Sequence, residues 1–236
     1  MKFTYKPKSN LEKFGNKVYS ALVENFSQTF FVGGMVRDLL LKKKITDIDI
    51  ATSATPEQII VALNKLGVEH NDSHKKFGNI VARQGSNEVE VTTLRKDLKS
   101  VNRYPRVRFV SNPKADSIRR DFSINSLYLK PKLNIVLDFN RGLADIKKQT
   151  IRFIGNPKQR IVDDPLRIIR ALRFALVLNF KLEAKTKNAI KNNFFLLNNL
   201  TKTKIQKEIA KVRDAGKRKT LKQFIDKPKM LDKYFK

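Results

Sequence analysis

Residues 30–59 read "FFVGGMVRDLLLKKKITDIDIATSATPEQI". The opening apolar run stops at Gly33 and Gly34, which fits a short buried strand closed by a Gly-Gly turn. "MVRDLLL" then reads as a helix that starts directly after the turn. "TDIDIAT" alternates strictly, the pattern of a second strand. Residues i and i+2 of a strand share a face, so Ile48 and Ile50 point into a core while Asp47 and Asp49 project together. Two carboxylates this close repel unless a cation joins them. Mg2+ suits the task, because it takes oxygen ligands and is commonly held by one or two carboxylates plus substrate phosphates. Taken alone, a D-x-D is more often a polar strand face at a sheet edge.

The glycines add to the pattern. Backbone N–H groups at a strand-to-helix turn receive phosphate, and glycine lets it approach closely. Arg37 lies one helical turn further on, where it can clamp a triphosphate. Glu90, in "VEV", is another acid flanked by apolar residues; if its strand neighbours the first, it completes a three-carboxylate site. Strand, Gly-Gly, helix with arginine and strand with paired acids together point to a nucleoside triphosphate and its metals, used for phosphoryl or nucleotidyl transfer.

Composition agrees. The chain has 236 residues, 41% of them hydrophobic, enough for one large domain or two modest ones. Lysine and arginine number 50 against 22 acids, a net charge of +28. A soluble protein so basic meets a polyanion, usually nucleic acid, unless the excess simply reflects a lysine-rich genome. Cysteine is absent, which excludes disulfides and thiolate metal sites and fits an intracellular, cytoplasmic location. The first residues lack the apolar core of a secretory signal, and no run is long enough to span a membrane.

The remaining elements follow from periodicity and caps. Residues 11–26 carry apolar residues at helical spacing. "TPEQIIVALNKLG" is a helix with Thr55 as N-cap, Pro56 at its first position and Gly67 at its end. "NIVARQ" and "NEVEVTTL" form a hairpin around Gly85. Residues 96–118 read as a loop apart from "VRFV". "DFSINSLYLK" and "NIVLDFN" read as a further strand pair or helix–strand pair, and a long helix opens at "DDPLRIIRALRFALVL", capped by Asp163 or Asp164. On that helix Ile168, Ile169, Leu172, Ala175 and Leu176 share one arc, and Asp164, Arg167, Arg170 and Arg173 the other. Such a face is either solvated, with i,i+3 ion pairs, or a binding surface.

Three stretches carry a family resemblance. "FVGGMVRDLLL" with "TDIDIAT" resembles the head-domain signature of class II tRNA nucleotidyltransferases and bacterial poly(A) polymerases, members of the polymerase-beta-like nucleotidyltransferase superfamily. "RRDFSINSLYL" (119–129) is similar to the next family motif, and "DDPLRIIRALRF" (163–174) to the neck motif. The resemblance implies an α+β fold: a polymerase-beta-like nucleotidyltransferase head, with a mixed sheet and flanking helices, over residues 1–150. An all-helical neck would follow over 151–200, and a short, basic, helical C-terminal end over 201–236.

It also implies roles. Two Mg2+ ions would sit on Asp47 and Asp49, with the triphosphate held at Gly33, Gly34 and Arg37. Arg120 and Asp121 would contact the sugar and phosphates of the nucleotide. Asp164 and Arg167 would act as a protein template for the incoming base, supported by Arg170 and Arg173. Ionised Asp164 only accepts and Arg167 only donates. Cytosine and adenine each offer an amino donor beside a ring acceptor; uracil and guanine present the reverse. Sites that hydrogen-bond a substrate this way reject mismatches by roughly 10⁴–10⁵. CTP and ATP are then the substrates and the 3′ end of tRNA the acceptor. The neck motif normally begins with glutamate, where this chain has Asp163.

"VEVTTLRKDLKSVNRYPRVRF" (89–109) resembles the flexible loop of CCA-adding enzymes at Arg95, Asp97 and Arg103, a loop that helps switch the site from CTP to ATP. CCA addition is the reading this favours. Poly(A) polymerase, A-only addition and a non-catalytic basic RNA-binding protein are the alternatives. The stretch from Thr201 to Lys236 has 13 lysines and arginines against 4 acids and is expected to bind tRNA phosphates.

Overall fold

The computed structural model describes residues 5–98, 106–212 and 216–217. They fall into two compact units, one within residues 5–120 with 124–143 and one within residues 121–123 with 144–217.

The first unit begins with helix α1 (Asn10–Val23). Ser9 caps it in a capping box with Glu12. Then come β1 (Thr29–Val32), α2 (Gly34–Leu40), β2 (Ile48–Thr52) and α3 (Pro56–Lys65). Thr55 caps α3 ahead of Pro56, as the sequence predicts, and Gln58 closes a second capping box with it. β3 (Glu69–Asn71), β4 (Asn79–Gln84) and β5 (Asn87–Thr93) follow, with Gly85 at φ +58° in the β4–β5 turn. β6 (Arg95–Leu98), β7 (Arg106–Phe109), α4 (Pro113–Ser117), β8 (Leu127–Lys130) and β9 (Ile135–Asp138) complete the unit.

Seven strands form one mixed sheet in the order β3-β4-β5-β2-β1-β8-β9. The β2–β5 pair is parallel and the others are antiparallel. One face is covered by α1: Tyr19 stacks on Phe31 at 4.9 Å, and a Cβ on Gly15 would meet the Ile48 side chain at 2.7 Å. Phe30, Val32, Ala51, Leu94 and Tyr128 form the core of the opposite face. Ile48 and Ile50 are buried, as their alternation requires, so Asp49 emerges on the Val32 side of the sheet.

β6 and β7 pair with each other in a separate two-stranded sheet. This corrects the loop expected over 96–118, where α4 also forms. Lys96, Asp97 and Leu98 are exposed, so β6 carries no buried face for a sequence pattern to report. Arg103 lies outside the described residues.

In the second unit, α5 (Gly142–Lys147) starts at the division and leads to β10 (Thr150–Ile151), α6 (Pro157–Asp163), α7 (Leu166–Leu178), β11 (Lys181–Leu182), α8 (Ala184–Asn193) and α9 (Lys202–Ala210). β10 and β11 pair in parallel, which draws residues 144–152 into this unit and puts its border before residue 150. The single long helix expected at Asp163 is two helices. Pro165 disfavours helical backbone at the residue before it, and Asp164 is extended at φ −151°, ψ 98°. Its Oδ1 accepts the N–H of Leu166 at 3.1 Å, so it caps α7 from outside. α7 buries Ala171, Phe174 and Leu178 beside Ile168, Ile169, Leu172 and Ala175, while Leu176, expected on that arc, is only half-buried. Most of the basic stretch after Lys211 lies outside the described residues. Among the described residues, no helix is long and apolar enough to cross a membrane.

Candidate active site

In the first unit the site forms where β1 ends and β2 begins. Val32 pairs with Asp49, which sets the acid beside the Gly-Gly turn. Gly33 has φ +72° and ψ −138°, a conformation open to glycine alone. A Cβ there would stand 2.7 Å from Oδ2 of Asp49 and 3.9 Å from Nη1 of Arg120. Gly33, Asp49 and Arg120 thus share one corner. Helix α2 has only 7 residues, so the turn itself, bare of side chains, is what a phosphate would approach.

Asp49 is the electrostatic centre. Burial pushes its carboxyl up to about 6, the neighbouring charges of Glu90 and Asp47 add to this, and Arg120 and Arg37 oppose it. Glu90 is the parallel-register partner of Asp49 across β2–β5, the adjacency the third acid needed. Its exposed carboxylate accepts from the Asn79 side chain at 3.2 Å. Asp47 lies just before β2, exposed, with its Oδ2 taking the Thr46 hydroxyl at 3.0 Å. Among the described residues, no three acidic, histidine or cysteine side chains stand close enough to hold a metal ion, so the three-carboxylate site expected with Glu90 is not assembled. The donors present fit a hard divalent cation all the same. They are oxygen-only, open to further ligands, and centred on a carboxyl that burial and two neighbouring acids hold above the usual carboxylate range.

Arg37 does not stand free as a clamp. Its guanidinium makes a bidentate pair with Asp38, at 2.9 and 2.7 Å, and donates to Asn125 Oδ1 at 2.6 Å. Arg120 donates through Nε to the Tyr128 hydroxyl at 2.9 Å and to Asp116 at 3.2 Å.

In the second unit, Asp121 gathers the neck arginines. Its Oδ1 accepts from Nε of Arg167 at 2.6 Å, with Arg160 at 3.6 Å, and its Oδ2 pairs with Arg170 at 2.6 Å. Nη1 of Arg167 also donates to the Arg160 carbonyl at 2.7 Å. Asp164 and Arg167 meet through the backbone, Arg167 N–H to Asp164 carbonyl at 3.1 Å. Arg173 pairs with Glu208 of α9 at 3.0 Å and lies over the Phe174 ring. The arginines of α7 therefore find their acids on other elements. Sequence reading missed Asp116, Arg119, Arg160 and Glu208. Only Asp116 with Arg119 and Arg120 left a local trace, the i,i+3 and i,i+4 spacing in "DSIRR".

The sequence description of the poly A polymerase head domain matches residues 29–152, more than half of the 236. The chain belongs to the poly A polymerase head-domain family. Its mixed sheet with flanking helices is the nucleotidyltransferase head of that family, whose members generally use divalent metal ions. The CCA-adding enzyme of Lactobacillus helveticus (strain DPC 4571) is 39% identical over 187 residues, 78% of this chain and 46% of that protein. The CCA-adding enzyme of Oceanobacillus iheyensis (strain DSM 14371) is 42% identical over 178 residues, 73% of this chain and 42% of that protein. Among solved structures, the Bacillus stearothermophilus CCA-adding enzyme in complex with CTP superimposes with a TM-score of 0.75 at 31% identity, covering 86% of this chain and 48% of that one. A tRNA nucleotidyltransferase complexed with a primer tRNA and an incoming ATP analog gives 0.71 at 28% identity, over 88% and 59%. This poly A polymerase head-domain chain spans about half the length of the curated relatives it matches.

Proposed function

We propose that these residues are the catalytic head and the base-selecting part of a template-independent nucleotidyltransferase that adds C, C and A to the 3′ end of tRNA from CTP and ATP. The observation that carries this reading is the corner at Gly33. A bare turn, a carboxylate of raised proton affinity and an arginine meet there, a suitable seat for a triphosphate and two Mg2+ ions. The named activity of the most similar relatives supports it.

Asp47 and Asp49 would hold the metal ions, with Glu90 adding negative charge at their side. Ions bound there would activate the RNA 3′-hydroxyl for attack on the α-phosphate and neutralise the charge on the pyrophosphate that leaves. The chain's own groups do the rest. Gly33 and Gly34 leave the phosphates room to reach backbone N–H groups. Arg120 offers fixed positive charge at the same corner, where preorganised donors act most strongly. Arg37, locked by Asp38 and Asn125, keeps its charge near Asp49 and stiffens the turn. In the second unit, Asp164 accepts from the amino group of cytosine or adenine and Arg167 donates to the ring nitrogen. Asp121 holds Arg167 and Arg170 at the required angle.

The test uses the protein with Mg2+, tRNA lacking its 3′ end, and each labelled nucleotide alone, then CTP with ATP. Addition ending at C-C-A on tRNA is expected. Long A tails on unrelated RNA would instead make it a poly(A) polymerase. A single A, added only to tRNA already ending in CC, would make it an A-adding enzyme. RNA binding with no addition would leave a non-catalytic RNA-binding protein.

A further inference from the structure

Asp116, on α4, is fully buried, and the reaction proposed above gives it no task. Its two oxygens divide their partners. Oδ1 accepts from the backbone N–H of Arg95 at 3.0 Å and from Nε of Arg119 at 2.8 Å. Oδ2 accepts from the Tyr128 hydroxyl at 2.6 Å and from Nε of Arg120 at 3.2 Å. Burial alone would raise this carboxyl. Arg120, Arg119, the Tyr128 hydroxyl and the Arg95 N–H outweigh burial and hold it below the usual carboxylate range. A buried charge so fully bonded fixes the geometry of whatever it binds.

Arg120 sits between two acids. Nε and Nη2 lie against Asp116, while Nη1 reaches toward Gly33, where Oδ2 of Asp49 also stands. Tyr128, Asp116 and Asp49 all act on Arg120 to strengthen its hold on its proton, against the burial that weakens it. An arginine freed from one of two acid partners settles on the other. On Asp49 it would cover the oxygens that a metal ion needs and turn its own donors away from a phosphate.

We propose that Asp116 is a positioning residue that holds Arg119 and Arg120 by their Nε edges, keeping Arg120 off Asp49 and presented to the nucleotide triphosphate. The ligand is the one named under the proposed function. The role itself is fixed by the hydrogen bonds around Asp116. Groups that orient metal ligands typically contribute about 10–100-fold in affinity, and a residue that orients Arg120 is expected to act on a similar scale.

Asp116→Asn keeps the size but turns an N–H group toward donors that the carboxylate satisfied. The Kd of CTP with Mg2+, measured by calorimetry without RNA, should rise about 10–100-fold. Arg120→Gln should act similarly. In the double variant the penalties should combine to less than their product, because Asp116 works partly through Arg120. Penalties that multiply, or a lowered Tm with an unchanged Kd, would overturn the proposal. If Asp116→Asn fails to fold, Tyr128→Phe decides. It loosens Arg120 without removing charge, so a several-fold rise in Kd supports the role and an unchanged Kd defeats it. Binding is read without turnover, which separates the two proposals. Protein that binds CTP but adds nothing to tRNA defeats the proposed reaction and leaves this test intact. Protein that completes CCA while Asp116→Asn keeps its Kd defeats only the positioning role.

Discussion

Oδ2 of Asp49 lies 2.7 Å from where a Cβ on Gly33 would stand, so the carboxylate occupies the space another residue would give its side chain. Backbone geometry adds a second constraint, since φ at Gly33 is +72°. Gly33→Ala should therefore lose stability through strain of roughly 1–3 kcal/mol and also displace Asp49. Gly85 separates the two effects: its φ is +58° and its Cβ position is open. Gly85→Ala should lose about 1 kcal/mol by strain alone and keep its activity. Urea denaturation of both variants beside single-nucleotide addition assays checks this. Equal losses of activity in the two would show that displacement of Asp49 does not matter.

Asp49 makes metal-free stability depend on pH. Its carboxyl is raised from 3.8 to about 6, so the folded state binds the proton more tightly than the unfolded chain. That stabilisation is complete below the unfolded value and is lost as pH rises through the folded one. In EDTA, wild type should lose on the order of 2–3 kcal/mol relative to Asp49→Asn between pH 4 and pH 7. Asp49→Asn should then be the more stable protein at neutral pH and inactive, and Mg2+ should stabilise only the wild type. Parallel pH–stability curves for the two proteins would refute the charge assignment.

Local chemistry was readable in the sequence, and distant partnership was not. Thr55, Pro56 and Gln58 declare a helix start within four residues, and Ile48 and Ile50 declare which way Asp49 faces. Both signals come from backbone geometry and need no knowledge of the fold. The break between α6 and α7 was also within reach, because Pro165 forces Asp164 out of the helix. The partner of Arg167 was not. Asp121 is 46 positions away, and only packing brings it close. Asp116 looked like an ordinary acid in a polar stretch, since nothing local reports that Tyr128 and the Arg95 N–H will close around it.

Asp121 gives a prediction that separates two roles. The family resemblance made it a contact to the nucleotide sugar, yet both its oxygens are engaged by Arg167 and Arg170. Asp121→Asn should loosen those arginines, raise KM for CTP and ATP, and increase misincorporation of UTP on the order of tenfold. Preference for ribo- over 2′-deoxynucleotides should hold. Competition assays with CTP against UTP, and CTP against dCTP, read the two roles apart. Loss of ribose preference with base choice intact would return Asp121 to the sugar.

Arg95 concerns the choice between C and A. The strand pair β6–β7 is tied at its base from several sides. The Arg95 guanidinium donates to the Phe77 carbonyl, the Arg95 N–H to Asp116, and the Val110 N–H to the Leu94 carbonyl at 2.8 Å. Phe109 crowds Gly78, where a Cβ would meet its ring at 2.8 Å. Arg95→Ala removes the side-chain tie and leaves both backbone bonds, so the pair should persist with a looser base. Resemblance assigns residues 89–109 to the switch from CTP to ATP. The C steps should then proceed near the wild-type rate, while the final A step slows by about 10–100-fold, the range for lost orienting contacts. Single-turnover addition to tRNA ending in CC, beside tRNA lacking all three residues, measures the two steps separately. Equal slowing of both would mean that Arg95 supports the head as a whole rather than the change of nucleotide.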